Sequence, residues 1–174
     1  MKKRVLTFLT TLAVVLGASV IVATPAFAAF EGTYRIKPPG YDMCLDVTGV
    51  SYANGALLQM YQCLPNQNNQ RFNIYTGVGN RVEIRAVHSG KCLDVLGVSY
   101  SPGTVIQQYD CLGPTQTNQQ FFRNWFYGNA QLMAEHSGFC ISAPGWGGYY
   151  NGDPVTQDWC SGGGGRDMWR LVPA

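Results

Sequence analysis

The chain has 174 residues with 12 Lys+Arg against 10 Asp+Glu, a length that suits one modest domain behind any targeting segment and a charge that is close to neutral. Three of the basic residues, Lys2, Lys3 and Arg4, sit at the very start; beyond them 9 basic residues face 10 acidic ones, and no Lys/Arg cluster remains to mark a nucleic-acid or anionic-membrane partner. Only 13% of residues are charged, while 21 are Gly and 10 are Tyr, a surface suited to neutral polar ligands rather than ions.

In chain order, the basic start is followed by an apolar run over about 5–22 and then by Ala23-Thr24-Pro25-Ala26-Phe27-Ala28, which ends in the Ala-x-Ala form of a cleavage site. We therefore expect a secretory signal peptide over 1–28, an extracellular protein, and a single domain over 29–174. The rival reading, an uncleaved membrane anchor, is disfavoured by Pro25 and the Ala-Phe-Ala site, and no later segment is long and apolar enough for membrane insertion.

The domain reads as short strands separated by turn residues. Residues 33–36 alternate polar and apolar and run into Pro38-Pro39-Gly40; 44–47, 56–61 and 70–74 follow, with a loop over 49–55 and a polar run over 65–69. The same plan recurs at 82–85, 92–95, 104–109 and 119–122, and again at 131–134, 139–142, 155–159 and 168–171. Twelve strands and no convincing helix are predicted. Ile36, Ile84 and Leu132 stay in register on the first strand of each set, as do Phe72, Phe121 and Trp169 on the fourth, which marks them as a shared core.

The recurrence is a true internal repeat. Cys44 to Cys63 reads CLDVTGVSYANGALLQMYQC and Cys92 to Cys111 reads CLDVLGVSYSPGTVIQQYDC, identical at twelve of twenty positions. A third, more diverged copy runs from Cys140 to Cys160 with one extra residue, giving repeats over roughly 30–78, 79–127 and 128–174. Six cysteines in an exported chain read as disulfides, and self-similarity of the repeats selects Cys44–Cys63, Cys92–Cys111 and Cys140–Cys160 from the fifteen possible connectivities. Cysteines nineteen residues apart, without close Cys or His pairs, do not match zinc spacing, so no metal is expected. Three four-stranded units that cannot bury a face alone, closing around a threefold axis, describe an all-β β-trefoil. A propeller would need at least four blades.

The pattern Cys-Leu-Asp-Val, then Gln-x-Tyr-x-Cys, then Asn-Gln-x-Phe or its Trp form, is similar to the ricin-type lectin β-trefoil, including the carbohydrate-binding modules attached to bacterial xylanases. The resemblance spans the expected mature chain. It implies one shallow sugar pocket per intact repeat, built from Asp46, Gln59, Tyr61, Asn69 and Gln70 in the first and Asp94, Gln107, Tyr109, Asn118 and Gln119 in the second. The chemistry is apt without the analogy: a carboxylate accepts from hydroxyls, an amide both donates and accepts, and a Tyr face covers sugar C–H groups. Gln70 and Gln119 are expected to support the fold as much as the site. The third repeat departs from the pattern, with Ser142 at the aspartate position, Arg166-Asp167-Met168-Trp169 in place of Asn-Gln-x-Phe, and its aromatic shifted to Trp159. Its pocket is expected to be lost, with Trp146 to Tyr150 either a Gly-rich turn or a different aromatic platform.

Enzymatic chemistry finds little support. His88 and His136 recur one repeat apart and read as scaffold, and threefold symmetry would hold Asp46 and Asp94 well beyond the roughly 5–10 Å between paired glycosidase carboxylates. No nucleophile elbow, His-Glu-x-x-His or P-loop is present. The expectation is a monomer without cofactors that binds galactose- or lactose-type glycans or xylan through two equivalent pockets. The alternative is a protein-binding trefoil, such as a secreted protease inhibitor, with vestigial sugar sites.

Overall fold

The computed structural model describes residues 29–144 and 147–174. The expected signal peptide over 1–28, and Trp146 of the aromatic insertion, lie outside the described residues. Twelve strands are found among them: β1 (Ala29–Lys37), β2 (Met43–Val47), β3 (Leu58–Gln62), β4 (Phe72–Thr76), β5 (Arg81–Ala86), β6 (Cys92–Val95), β7 (Ile106–Tyr109), β8 (Phe121–Phe126), β9 (Asn129–Ala134), β10 (Cys140–Ser142), β11 (Thr156–Asp158) and β12 (Met168–Pro173). Helical structure among them is confined to four single 3-10 turns, at Thr48–Val50, Asn68–Gln70, Leu96–Val98 and Thr117–Gln119. Two of these replace expected strand starts: β4 begins at Phe72 and β8 at Phe121 because Asn69 and Gln70, and likewise Asn118 and Gln119, turn their side chains inward to a carboxylate, as set out below.

Six strands close on themselves. β1 pairs with β4, β4 with β5, β5 with β8, β8 with β9, β9 with β12, and β12 with β1, all antiparallel. Closure removes the open edges that an all-β chain must otherwise protect. The other six strands form three hairpins, β2–β3, β6–β7 and β10–β11, that cap the barrel. This is the β-trefoil predicted from the repeat.

The core follows the repeat period. Ile36, Ile84 and Leu132 are fully buried, as are Phe72, Phe121 and Trp169. The hairpins add a further set at the axis, Leu58, Ile106 and Val155, tied by backbone bonds from Ile106 N to Val155 O at 2.8 Å and from Val155 N to Leu58 O at 3.1 Å. Each hairpin is clamped by its own bridge, Cys44–Cys63, Cys92–Cys111 or Cys140–Cys160, all with Cα atoms 5.1 Å apart. A loop of about twenty residues closed in this way contributes roughly 3 kcal/mol on the chain-entropy account.

Neighbouring repeats interlock by a side chain on the hairpin's second strand. Gln108 donates to Ser51 O at 2.7 Å and Ala53 O at 3.0 Å while its Oε1 accepts the Ser89 hydroxyl. Gln157 does the same one repeat later, donating to Ser99 O and Ser101 O and accepting from Ser137. At the third junction the equivalent residue is Met60, and Tyr41 instead packs edge-on against Tyr149 with ring centroids 4.8 Å apart. The backbone bond survives in all three, from Gly55 to Gln108 O, Gly103 to Gln157 O and Gly152 to Met60 O. These contacts hold the loops that follow the Thr48–Val50 and Leu96–Val98 turns, and those turns border the pockets.

Candidate functional site

The register of the first hairpin places Asp46 opposite Gln59 and Cys44 opposite Tyr61; the second places Asp94 opposite Gln107 and Cys92 opposite Tyr109. A 3-10 turn then brings two more amides to each carboxylate. Asp46 Oδ1 accepts from Gln59 at 2.9 Å, and its Oδ2 accepts from Asn69 at 2.8 Å and Gln70 at 3.1 Å. Asp94 repeats the arrangement with Gln107 at 2.8 Å, Asn118 at 2.8 Å and Gln119 at 2.9 Å. Both aspartates are only 4% exposed. A carboxylate has about four acceptor positions, so three are filled from within and one, on Oδ1, is left for a ligand.

The same accounting narrows what the amides offer. Asn69 uses its second N–H on Val47 O, and Asn118 does likewise on Val95 O, so each can only accept. Gln59 and Gln107 each retain one N–H and a carbonyl oxygen. Gln70 and Gln119 are fully buried and bracket the hairpin end: Gln70 Nε2 donates to Gln62 O and its Oε1 accepts Leu64 N–H at 2.8 Å, while Gln119 bonds Asp110 O and Leu112 N–H in the same way. They orient the aspartates from behind and do not line the pockets.

Two shallow pockets of about 250 and 360 Å³ open over these carboxylates. Both lie near the small end of ligand clefts, which run from roughly 300 Å³ upward. Tyr61 and Tyr109 form one wall of each. The other wall is apolar, Val50 in the first and Val98 in the second, and both valines hold φ of 53°. A β-branched residue in the left-handed region is strained, at a cost of roughly 1–3 kcal/mol, and the same strain occurs at the same pocket position twice. Nothing in the residue type signalled it; the neighbouring Gly49 and Gly97 were the only hint.

Burial raises the Asp46 carboxyl above its ordinary range, and the bonds from Gln59, Gln70 and Asn69 offset this only in part. The pocket thus keeps a carboxylate at some cost.

In the third repeat Ser142 faces Thr156 and Cys140 faces Asp158, so the aspartate, glutamine and tyrosine of the other hairpins are all replaced. Trp159 falls one residue outside the register, is 73% exposed, and meets Phe139 edge-on. Tyr149 is half-buried against the core and Tyr150 is exposed. His88 and His136 donate from Nε2 to Ser51 O and Ser99 O at 2.9 Å, in contact with the Tyr52 and Tyr100 rings. Among the described residues two clusters have potential ligand atoms close together, Glu83 with Cys92 and Cys111, and Asp167 with Cys140 and Cys160, but their cysteines are bridged, which leaves one carboxylate in each.

A family profile for ricin-type beta-trefoil lectin domain-like sequences matches residues 26–109 and again 68–158. The chain belongs to this family. The lectin-like fold points to carbohydrate binding, and domains of the ricin-type family are typically non-catalytic. No curated protein sequence matches the chain. Among solved structures it is similar to a designed 3-fold symmetric protein, ThreeFoil, with a TM-score of 0.74 and 31% identity over 83% of this chain and 100% of that one. It is also similar to an exo-beta-1,3-galactanase from Clostridium thermocellum, with a TM-score of 0.71 and 28% identity over 82% of this chain but only 30% of the enzyme. The Rhizoctonia solani agglutinin shares the fold, with a TM-score of 0.70 and 19% identity over 82% of this chain and 95% of that one.

Proposed function

We propose that the protein is a secreted, non-catalytic lectin that binds galactosides or xylan-type polysaccharide through the pockets of repeats 1 and 2. The observation that carries this reading is the twice-repeated cradle of three amides on a buried aspartate beside a tyrosine wall, and its replacement in repeat 3. A scaffold alone would have no use for a buried carboxylate with one acceptor position open. In each pocket Asp46 or Asp94 accepts one sugar hydroxyl, Gln59 or Gln107 donates to or accepts from a second, and Tyr61 or Tyr109 covers the C–H face. Each site alone is expected to bind weakly, with Kd on the order of 0.1–1 mM.

The test is binding of the protein to a glycan array and to insoluble xylan and galactan, beside Asp46→Ala, Asp94→Ala and the double variant. Partial loss with each single change and near-complete loss with both is expected. A double variant that stays folded and binds as well as the parent overturns the assignment and returns attention to protein partners.

A further inference from the structure

The two pockets match in residue type yet differ at one atom. In repeat 2 the Asn118 Oδ1 accepts from Gln116 Nε2 at 2.6 Å. In repeat 1 the corresponding Asn69 Oδ1 is buried and has no hydrogen-bond partner among the described residues, although Gln67, the counterpart of Gln116, also lines the pocket. Asn69 is 4% exposed, and both of its N–H groups are used inward on Asp46 and Val47. Its oxygen is therefore the only part of the amide left to a ligand, and a buried acceptor gains most from a donor.

We propose that the two pockets are unequal: repeat 1 is the primary site, because Asn69 Oδ1 is open to a donor from the ligand, and Gln116 caps the corresponding acceptor of repeat 2. This rests on the lectin reading above and deepens it. Asn69 is held beside Asp46 by a 2.8 Å hydrogen bond from its Nδ2 to Asp46 Oδ2, so its oxygen belongs to the same pocket as the carboxylate. In repeat 2 a sugar must displace the Gln116 amide or forgo that bond. Gln116 is thus a positioning residue, since it acts through Asn118.

The test is a residue-resolved NMR titration with lactose and with xylotriose, following Tyr61 and Tyr109 in the unaltered protein and in Gln116→Ala. Neither aspartate is changed, so both pockets keep their cradles. The expected result is tighter binding reported by Tyr61 than by Tyr109, with Gln116→Ala tightening the Tyr109 site about three- to tenfold and leaving the Tyr61 site unmoved. Equal affinities at the two tyrosines, or a Gln116→Ala variant that binds no better at Tyr109, overturns the inference while leaving the lectin reading intact. No response of either tyrosine to either sugar overturns both.

Discussion

Gln70 and Asp167 make the same backbone bond in different repeats: Gln70 Oε1 accepts Leu64 N–H at 2.8 Å, and Asp167 Oδ2 accepts Ser161 N–H at 2.8 Å, each from the residue after a bridged cysteine. The hairpin clamp therefore outlives the pocket. A carboxylate is tolerated at this position in repeat 3 because Ser142, uncharged, stands where Asp46 stands in repeat 1.

From this pair follows a coupled substitution. Gln70→Glu sets a second carboxylate against Asp46 Oδ2, now 3.1 Å from the Gln70 amide, and is expected to cost roughly 2–4 kcal/mol. Combined with Asp46→Ser it should cost much less than the sum of the two single changes. Denaturant melts of the four proteins supply the cycle; strict additivity would refute the coupling.

The strained valines separate stability from binding. Val50→Asn places a residue that tolerates the left-handed region at φ 53° and is expected to raise stability by roughly 0.5–1 kcal/mol while weakening sugar binding at the first pocket. Thermal melts and titrations on the same variant check both signs. A variant less stable than the parent would show that the valine's contacts outweigh its backbone strain.

Acid should weaken binding at the first pocket without loosening the fold there. The Asp46 carboxyl is raised by burial, so the sugar's acceptor is lost as pH falls through that raised value, beginning above the ordinary aspartate range. For folding the sign is opposite: a raised carboxyl favours the native state below its unfolded value, and that contribution is lost as pH rises through the folded value. Sugar affinity reported at Tyr61 from pH 7 to pH 4, with melts in parallel, distinguishes the two. Affinity that stays flat across this range would remove Asp46 from direct sugar contact.

Pockets on hairpins related by a pseudo-threefold axis open in different directions, so a short soluble chain occupies only one. Two sites then join two separate chains or bind one surface twice, where effective concentration raises avidity by about a hundredfold. Light scattering with soluble xylan or galactan should show cross-linked particles that Asp94→Ala abolishes while single-site binding persists. Scattering unchanged by that variant would place the second contact elsewhere.

Much of this was legible in the sequence because the repeat samples each position several times. The three bridges and the buried set from Ile36 to Trp169 were visible in the phase of the motifs, and the gathering of Asp46, Gln59 and Asn69 in one pocket was what the family resemblance implied. What was not visible depended on partners distant in the chain. That Gln108 reaches back 57 residues to Ser51 is decided by how hairpins meet. Gln70 reads as a strand start locally and instead ends a 3-10 turn over Asn68–Gln70, because three amides converge on one carboxylate. Likewise the cap on Asn118 and its lack on Asn69 turn on a side-chain rotation that residue type does not encode.

The barrel closes through its own ends. β12 lies beside β1 from Tyr34↔Pro173 to Lys37↔Arg170, and Ala174 N–H donates to Thr33 O at 3.0 Å. The first and last strands are thus neighbours, and no repeat is structurally first. A circular permutant joined from 174 to 29 by a short linker, and opened at the β8–β9 turn where Tyr127 is 98% exposed, would keep every strand pair and all three bridges. In such a molecule the order of the repeats along the chain becomes a free variable, while the cradles around Asp46 and Asp94, each contained within a single repeat, stay as they are.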